Sequence, residues 1–175
     1  MREFARIVVW SPTRANLEAY AAEMRAEGFD VHLADGPAAV CSDADVLITT
    51  TPSRAPLVAA GSLRAGMHVT AVGSDSPGKQ ELEAACLAAA DLVVADRLSQ
   101  CAAFGELAGA VDGGLVQQSS VIELGAIVCG RRPGRVSDEQ LTIADLTGVG
   151  FQDTAIASAA FDRIVERRER SERNN

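Results

Sequence analysis

The stretch HVTAVGSDSPGKQEL, residues 68–82, puts one carboxylate, Asp75, and one ammonium, Lys79, four positions apart in a Gly/Ser/Pro loop behind an apolar run. Two chemistries suit that spacing. Asp75 can cap a helix whose first turn holds Pro77. Alternatively, the pair can belong to a catalytic loop over a cofactor, with the carboxylate as an acid or base. Burial would then raise its pKa towards the working pH, and Lys79 would oppose that rise or offset a phosphate or ribose. The loop by itself leaves both readings open.

The elements that must position this loop alternate β-like and helical runs. ARIVVW (5–10), DVHLA (30–34), DVLITTT (45–51), HVTAVG (68–73), DLVVAD (91–96) and QLTIAD (140–145) read as six strands. Between them TRANLEAYAAEMRAEG (13–28) has one apolar face at i, i+3, i+4 and i+7 and Gly28 as its C-cap. GPAAVCSD (36–43), KQELEAACLAAA (79–90), RLSQCAAFGELAGAVDGG (97–114), SSVIELGAIVCG (119–130) and QDTAIASAAFDRIVERRER (152–170) read as further helices, and SERNN as a disordered tail. The strands are short, rich in Val, Ile and Leu, and barely alternating, as strands covered on both faces are. Such alternation predicts an α/β fold, a doubly wound (Rossmann-like) parallel sheet.

In these sheets ligands bind beyond the carboxyl ends of the strands. Those ends read WSPTR, TTTPSR, GSDSPGK, ADR and ADLTG, a rim of hydroxyls and glycines with Asp, Arg and Lys among them. That rim suits a polar, phosphate-bearing ligand, although each hydroxyl taken singly also serves as a helix cap. A dinucleotide fold normally opens with strand, G-x-G-x-x-G loop and helix. The 175 residues contain no such motif. Ser11, Thr13 and Arg14 follow the first strand as residues follow the second strand of a Rossmann half, where hydroxyls and Arg would accommodate a ribose 2′-phosphate. The expectation is therefore a Rossmann-like sheet missing its first βα unit, in which a dinucleotide need not bind tightly.

Composition excludes several classes. With 16 Lys and Arg against 24 Asp and Glu, the net charge of −8 argues against a nucleic-acid surface. RIVERRERSERNN interleaves Glu with Arg as a solvated helix end does. No apolar run is long enough to span a membrane, and MREFARIVVW lacks a signal peptide's layout, so a cytoplasmic location is expected. Cys41, Cys86, Cys101 and Cys129 form no C-x-x-C pair and read as buried thiols rather than a metal site. His32 and His68 lie within strands and read as packed. Glu106 and Glu123 are expected to pair with arginines. Asp96 either borders a ligand or caps the next helix, and GRRPGR reads as a surface turn.

TTTPSRAPLV, LRAGMHVTAVGSDSPGKQEL, DLVVADRLSQCAAFGEL and IELGAIVCGRRPGRVSDEQLTIADLTGVGFQD run nearly end to end through the chain. Together they resemble the ornithine cyclodeaminase/μ-crystallin family. DRLSQC, GELAGAV and DLTGVGFQDTAIAS are most similar to its ectoine-utilisation branch. The resemblance implies an NAD(P)(H)-binding Rossmann domain over 1–150. It also implies a helix and tail over 151–175 that pack towards a substrate and dimerisation domain. Family members cyclise a basic amino acid with loss of ammonia, or reduce imines and keto acids, through hydride transfer with an imine intermediate.

By motif, Asp75 corresponds to the catalytic acid/base. Lys79, Thr51, Val72, Gly73 and Ser74 correspond to cofactor contacts, joined by Ser11, Thr13 and Arg14 at the adenosine ribose, with NADP(H) slightly preferred over NAD(H). Leu146 stands where ornithine cyclodeaminases commonly place a Ser against the nicotinamide. Thr147 takes a substrate-facing position usually apolar there, and both departures point away from ornithine. The implied partners are a small amino-acid or imine substrate and a second copy of the chain, with self-association also expected from surface that a missing βα unit would uncover. The alternative function is a non-catalytic truncated remnant or pseudoenzyme of the same family.

Overall fold

The computed structural model describes residues 4–173. In chain order these form β1 (Ile7–Val9), α1 (Arg14–Ala26), β2 (Val31–Leu33), α2 (Pro37–Asp43), β3 (Val46–Thr49), β4 (His68–Ala71) and α3 (Ala84–Ala89). There follow β5 (Leu92–Ala95), α4 (Leu98–Phe104), α5 (Glu106–Asp112), β6 (Ile122–Glu123), α6 (Leu124–Val128), β7 (Thr142–Asp145) and α7 (Gly150–Arg173). Helix α1 turns Leu17 and Ala21 inward. It ends at Gly28 with φ +91°. There Phe29 N–H bonds the Met24 carbonyl and Gly28 N–H the Arg25 carbonyl, a Schellman closure.

Every strand pairing is parallel, as expected for an α/β fold with crossover helices. The strands lie in two sheets, β1–β2 and β3–β4–β7–β5–β6, rather than in one. Set edge to edge, β2–β1 and β3–β4 follow the doubly wound order except that β1 and β3 are not paired with each other. The core lies on one face of the larger sheet. Leu47, Val69, Ala71, Ile143, Val93 and Ala95 point to that face and pack with Cys86 and Leu87 of α3, Cys101 of α4, and Leu107 and Ala110 of α5.

Four sequence expectations are corrected. Cover on both faces fails at β3, where Ile48, on the side away from the core, is 62% exposed, although Val94 on that same side of β5 is buried. The helix expected over 79–90 begins only at Ala84. The amides of residues 80–83 are taken by tertiary acceptors instead: Ser53 and Val58 carbonyls and the Glu106 carboxylate. The helix expected over 119–130 is a short 3-10 turn, then β6 on the edge of β5, then α6, since the β-branched pair Val121–Ile122 lies beside an open strand edge. The tail expected to be disordered is helical through Arg173; residues 174–175 lie outside the described residues.

Two single residues also differ from expectation, His32 and Cys129, while His68 meets it. His32 is exposed beside Asp30, because β2 is an edge strand that turns only Val31 fully inward. His68 is half-buried against Thr142, as a packed histidine should be. Cys129 is exposed at the end of α6, whereas Cys41, Cys86 and Cys101 are buried, and all four are free thiols. Among the described residues no helix is long and apolar enough to cross a membrane.

Candidate functional site

Strands β3, β4 and β7 run side by side in register, with Thr49, Ala71 and Asp145 level at their carboxyl ends. The residues that follow, Thr51, Val72–Ser74 and Leu146–Thr147, are thereby brought to one edge. Val72 N–H donates to the Thr49 carbonyl and Leu146 N–H to the Ala71 carbonyl, both at 2.9 Å, carrying the ladder one step past the strands. Beyond that rung Thr51 N–H leaves the ladder for a side-chain acceptor, while the Thr51 carbonyl stays against Gly73. Val72, 39% exposed, and half-buried Leu146 present apolar surface there.

The loop that follows is fixed by its own chemistry. Ser76–Lys79 is a β-turn closed by Lys79 N–H on the Ser76 carbonyl, with Gly78 at φ +79° in the position where a type II turn requires a left-handed residue after Pro. No helix starts at Pro77, so the capping reading of Asp75 fails. The carboxylate of Asp75 is exposed and Lys79 Nζ lies 2.5 Å from its Oδ1. That hydrogen bond to Lys79 holds the Asp75 carboxyl below its ordinary value. Ser74 is buried, its hydroxyl donating to the Lys79 carbonyl at 2.8 Å and so pinning the turn. Any contact Ser74 makes outward is thus through its backbone.

Behind this edge stands a set of buried carboxylates that the sequence reading missed or misplaced. Glu81, fully buried, accepts Thr51 N–H at 2.5 Å on one oxygen and Gly73 N–H at 2.9 Å on the other. A Cβ at Gly73 would collide with the Thr51 carbonyl and the Glu81 carboxylate, so only glycine fits. Among the described residues Glu106 has no arginine partner, contrary to expectation: it is fully buried and accepts the Glu81 and Leu82 amides at 2.7 and 2.9 Å. Its carboxyl is pushed up to about 7, chiefly by burial. Asp145 accepts Leu107 N–H at 2.9 Å at the start of α5, and burial pushes it up to about 6. The Cys101 thiol beside it is pushed up to about 12, again by burial first.

Asp96 ties β5 to the β7–α7 loop, accepting from the Thr147 hydroxyl at 3.1 Å and Gly148 N–H at 2.9 Å. The Thr147 hydroxyl also accepts from Gln100, so that side chain is committed inside the protein. Glu123 accepts Leu98 N–H at 3.0 Å and lies 3.8 Å from Arg97, the arginine pairing expected of it. Arg131 and Arg132 are exposed as a surface turn implies, while Arg135 donates to the Gly66 and Asp138 carbonyls.

Ser11, Thr13 and Arg14 belong to a different place. They follow β1, and Ser11 and Arg14 line a shallow cleft of about 200 Å³ with Trp10, Pro12, Leu17, Ala34 and Asp35. The Ser11 hydroxyl accepts Thr13 N–H at 3.3 Å, and Arg14 Nε lies 2.6 Å from Glu18. The structure therefore groups Thr51, Val72, Gly73, Ser74, Asp75, Lys79, Leu146 and Thr147 at the end of the larger sheet, and Ser11, Thr13 and Arg14 at the end of the smaller. Among the described residues no three metal-ligating side chains converge.

A model of the ornithine cyclodeaminase/mu-crystallin family matches residues 1–168. An uncharacterized cyclodeaminase of Sinorhizobium fredii is 41% identical over 169 residues, covering 95% of this chain and 51% of that protein. The solved iminosuccinate reductase of Paracoccus denitrificans in complex with NAD+ superposes with a TM-score of 0.85 at 34% identity, over 92% of this chain and 49% of that one. An archaeal alanine dehydrogenase dimer with bound NAD gives 0.86 at 33% identity, over 93% and 50%. The chain spans about half the length of the curated relatives it matches.

Proposed function

The chain belongs to the ornithine cyclodeaminase/mu-crystallin family, and we propose that it carries the proton-handling part of an NAD(P)(H)-dependent site acting on a small amino acid or cyclic imine. The observation that carries this reading is the Asp75–Lys79 pair, presented on a pinned turn beside the ends of β3 and β4. The residues fit the nicotinamide-ribose half of such a cofactor. Val72 and Leu146 offer apolar surface to a flat ring, Gly73 brings backbone close, and Thr51 and Lys79 offer polar groups at the rim. When bound, the nicotinamide supplies the hydride acceptor or donor.

Asp75 moves the proton. As hydride leaves the amino-bearing carbon, the nitrogen lone pair forms the C=N bond and the N–H proton passes to the Asp75 carboxylate. In the reducing direction both transfers reverse. While Lys79 holds Asp75, the carboxylate is a weak base. A ribose or phosphate oxygen that drew Lys79 away would raise the proton affinity of Asp75 at the moment it is needed. The backbone of Thr147 borders the substrate.

Ser11, Thr13 and Arg14 support a slight preference for NADP(H), which an NADPH/NADH comparison of kcat/KM tests; equal or better use of NADH removes it. The exposed apolar side chains Phe151, Ile156, Phe161 and Ile164 of α7 support packing against a further domain or self-association, to be read by light scattering. Four free cysteines, three of them buried, accord with a reducing, cytoplasmic setting.

The direct test is NAD(P)H oxidation against a panel of cyclic imino acids, and of keto acids with ammonia, including amino-acid products of ectoine breakdown. Consumption dependent on one imine class is expected. No consumption with any of them returns the chain to the reading of a non-catalytic relative.

A further inference from the structure

We propose that Glu81 is a positioning residue of this site: its carboxylate joins the backbone after β3 to the backbone after β4 and so sets where Asp75 and Lys79 stand. The inference rests on the assignment of Asp75 as the proton-handling group, but its geometry is independent of any cofactor.

In a parallel ladder, the rung after Val72 N–H to Thr49 C=O would run from Thr51 N–H to the Val72 carbonyl. That rung is not made. Thr51 N–H turns instead to Glu81 Oε1, and Gly73 N–H, the next donor on the other strand, turns to Oε2. One side chain thus stands in for the next rung and bridges the two strand ends, which stay close enough that the Thr51 carbonyl would meet a Cβ at Gly73. Both amides would otherwise be part-buried donors without a protein partner. Glu81 takes part in no ion pair among the described residues, so the two amides face it without a competing cation.

The bridge is itself held from behind. The Glu81 amide is bound by Glu106, and the Glu81 carbonyl accepts from Leu57 and Val58 at 2.7 and 3.0 Å. Gln80 N–H donates to the Ser53 carbonyl at 2.9 Å. Residues 80–83 are therefore locked to 53–58 as an extended segment, from which the side chain of Glu81 meets the two strand ends. Gly73 lies two residues before Asp75, and Lys79 two residues before Glu81. The carboxylate closes a ring of backbone that contains the whole Asp75–Lys79 turn.

The substitution that separates bridging from packing is Glu81→Gln. Gln has the same shape, so a residue that only fills space is rescued by it. As a bridge it fails, because its amide NH2 meets one of the two N–H donors. The 175-residue chain, without cofactor, is followed by amide and carboxyl NMR. In Glu81→Gln, hydrogen exchange at Thr51 or Gly73 is expected to rise about tenfold or more, with Val8 and Met24 unchanged. The Asp75 titration is expected to move up towards its ordinary value as the pair with Lys79 loosens. Wild-type exchange at both amides together with an unshifted Asp75 titration would overturn the proposal.

Should Glu81→Gln not fold, the wild-type chain still decides. Through-hydrogen-bond couplings from the Thr51 and Gly73 amide nitrogens to the Glu81 carboxyl carbon are expected, and their absence overturns the bridge. Loss of imine reduction in Asp75→Asn with these couplings intact concerns the reading of Asp75, not Glu81. A wild-type chain that shows the couplings but reduces no imine would leave the bridge standing and remove the function.

Discussion

The two polar edges of this molecule are built in opposite ways. At the end of the β1–β2 sheet, Ser11, Thr13, Arg14 and Asp35 stand on the surface, tied by one exposed ion pair and one long hydrogen bond. At the end of β3, β4 and β7, the exposed pair Asp75–Lys79 is backed by Glu81, Glu106 and Asp145, all buried and all accepting backbone amides. Buried carboxylates without cations are costly, so they survive only where the backbone donors they satisfy would cost as much unpaired. The first edge can adapt to a ligand. The second is set in advance, which is what a proton-transfer group needs.

Glycine substitutions should divide the two regions most sharply. Gly73→Ala drives a Cβ into the Thr51 carbonyl and the Glu81 carboxylate. A loss of roughly 2–4 kcal/mol in urea unfolding, or failure to fold, is expected. Gly36→Ala, with no neighbour near its Cβ and an extended backbone, should change stability by less than about 0.5 kcal/mol. Equal effects at the two sites would remove the contrast.

Next in size is the carboxylate pair of tests. Asp75→Asn should lower kcat for imine reduction by roughly 10²–10⁴ with little change in unfolding midpoint, since the group is exposed. Asp35→Asn, in the β1 cleft, should leave kcat within about twofold. Retained turnover in Asp75→Asn would take the proton from this residue.

The buried acids of the second region give a pH dependence. Glu106 and Asp145 bind protons more tightly folded, at about 7 and about 6, than at their ordinary values of 4.5 and 3.8. Their contribution is therefore fully present below about pH 4 and is lost as pH rises through about 7, by a few kcal/mol at most. Urea midpoints should fall between pH 5 and pH 8, and Glu106→Gln should flatten that slope whatever its effect on the baseline. A midpoint that rises over this range contradicts the burial account.

The smallest effect is expected at Arg14. Its ion pair with Glu18 is exposed, so Arg14→Ala should change stability by less than about 0.5 kcal/mol while lowering any NADPH preference.

Legibility in the sequence followed the same division. The parallel α/β fold, α1 with its Gly28 closure, and the Asp75–Lys79 loop could be read because local patterns encode them: apolar periodicity, capping glycine, turn residues. The carboxylates behind the loop could not. Glu81 sits in KQELEAACL, whose spacing suits a helix face, and only tertiary acceptors for the amides of 80–83 keep that segment extended. Glu106 resembles any surface glutamate until its lack of a cation is known. The uncovered side of β3 was hidden for a similar reason: Ile48 looks like core, and nothing local says that its face is open.

The most direct test of the central claim is a titration of the 15N-labelled chain with NADH. Saturable shifts, even at weak affinity, are expected at Val72, Gly73, Ser74, Asp75 and Leu146. Shifts confined to Trp10–Arg14, or none at the ends of β4 and β7 at any concentration reached, would show that Asp75 does not stand in a nicotinamide site.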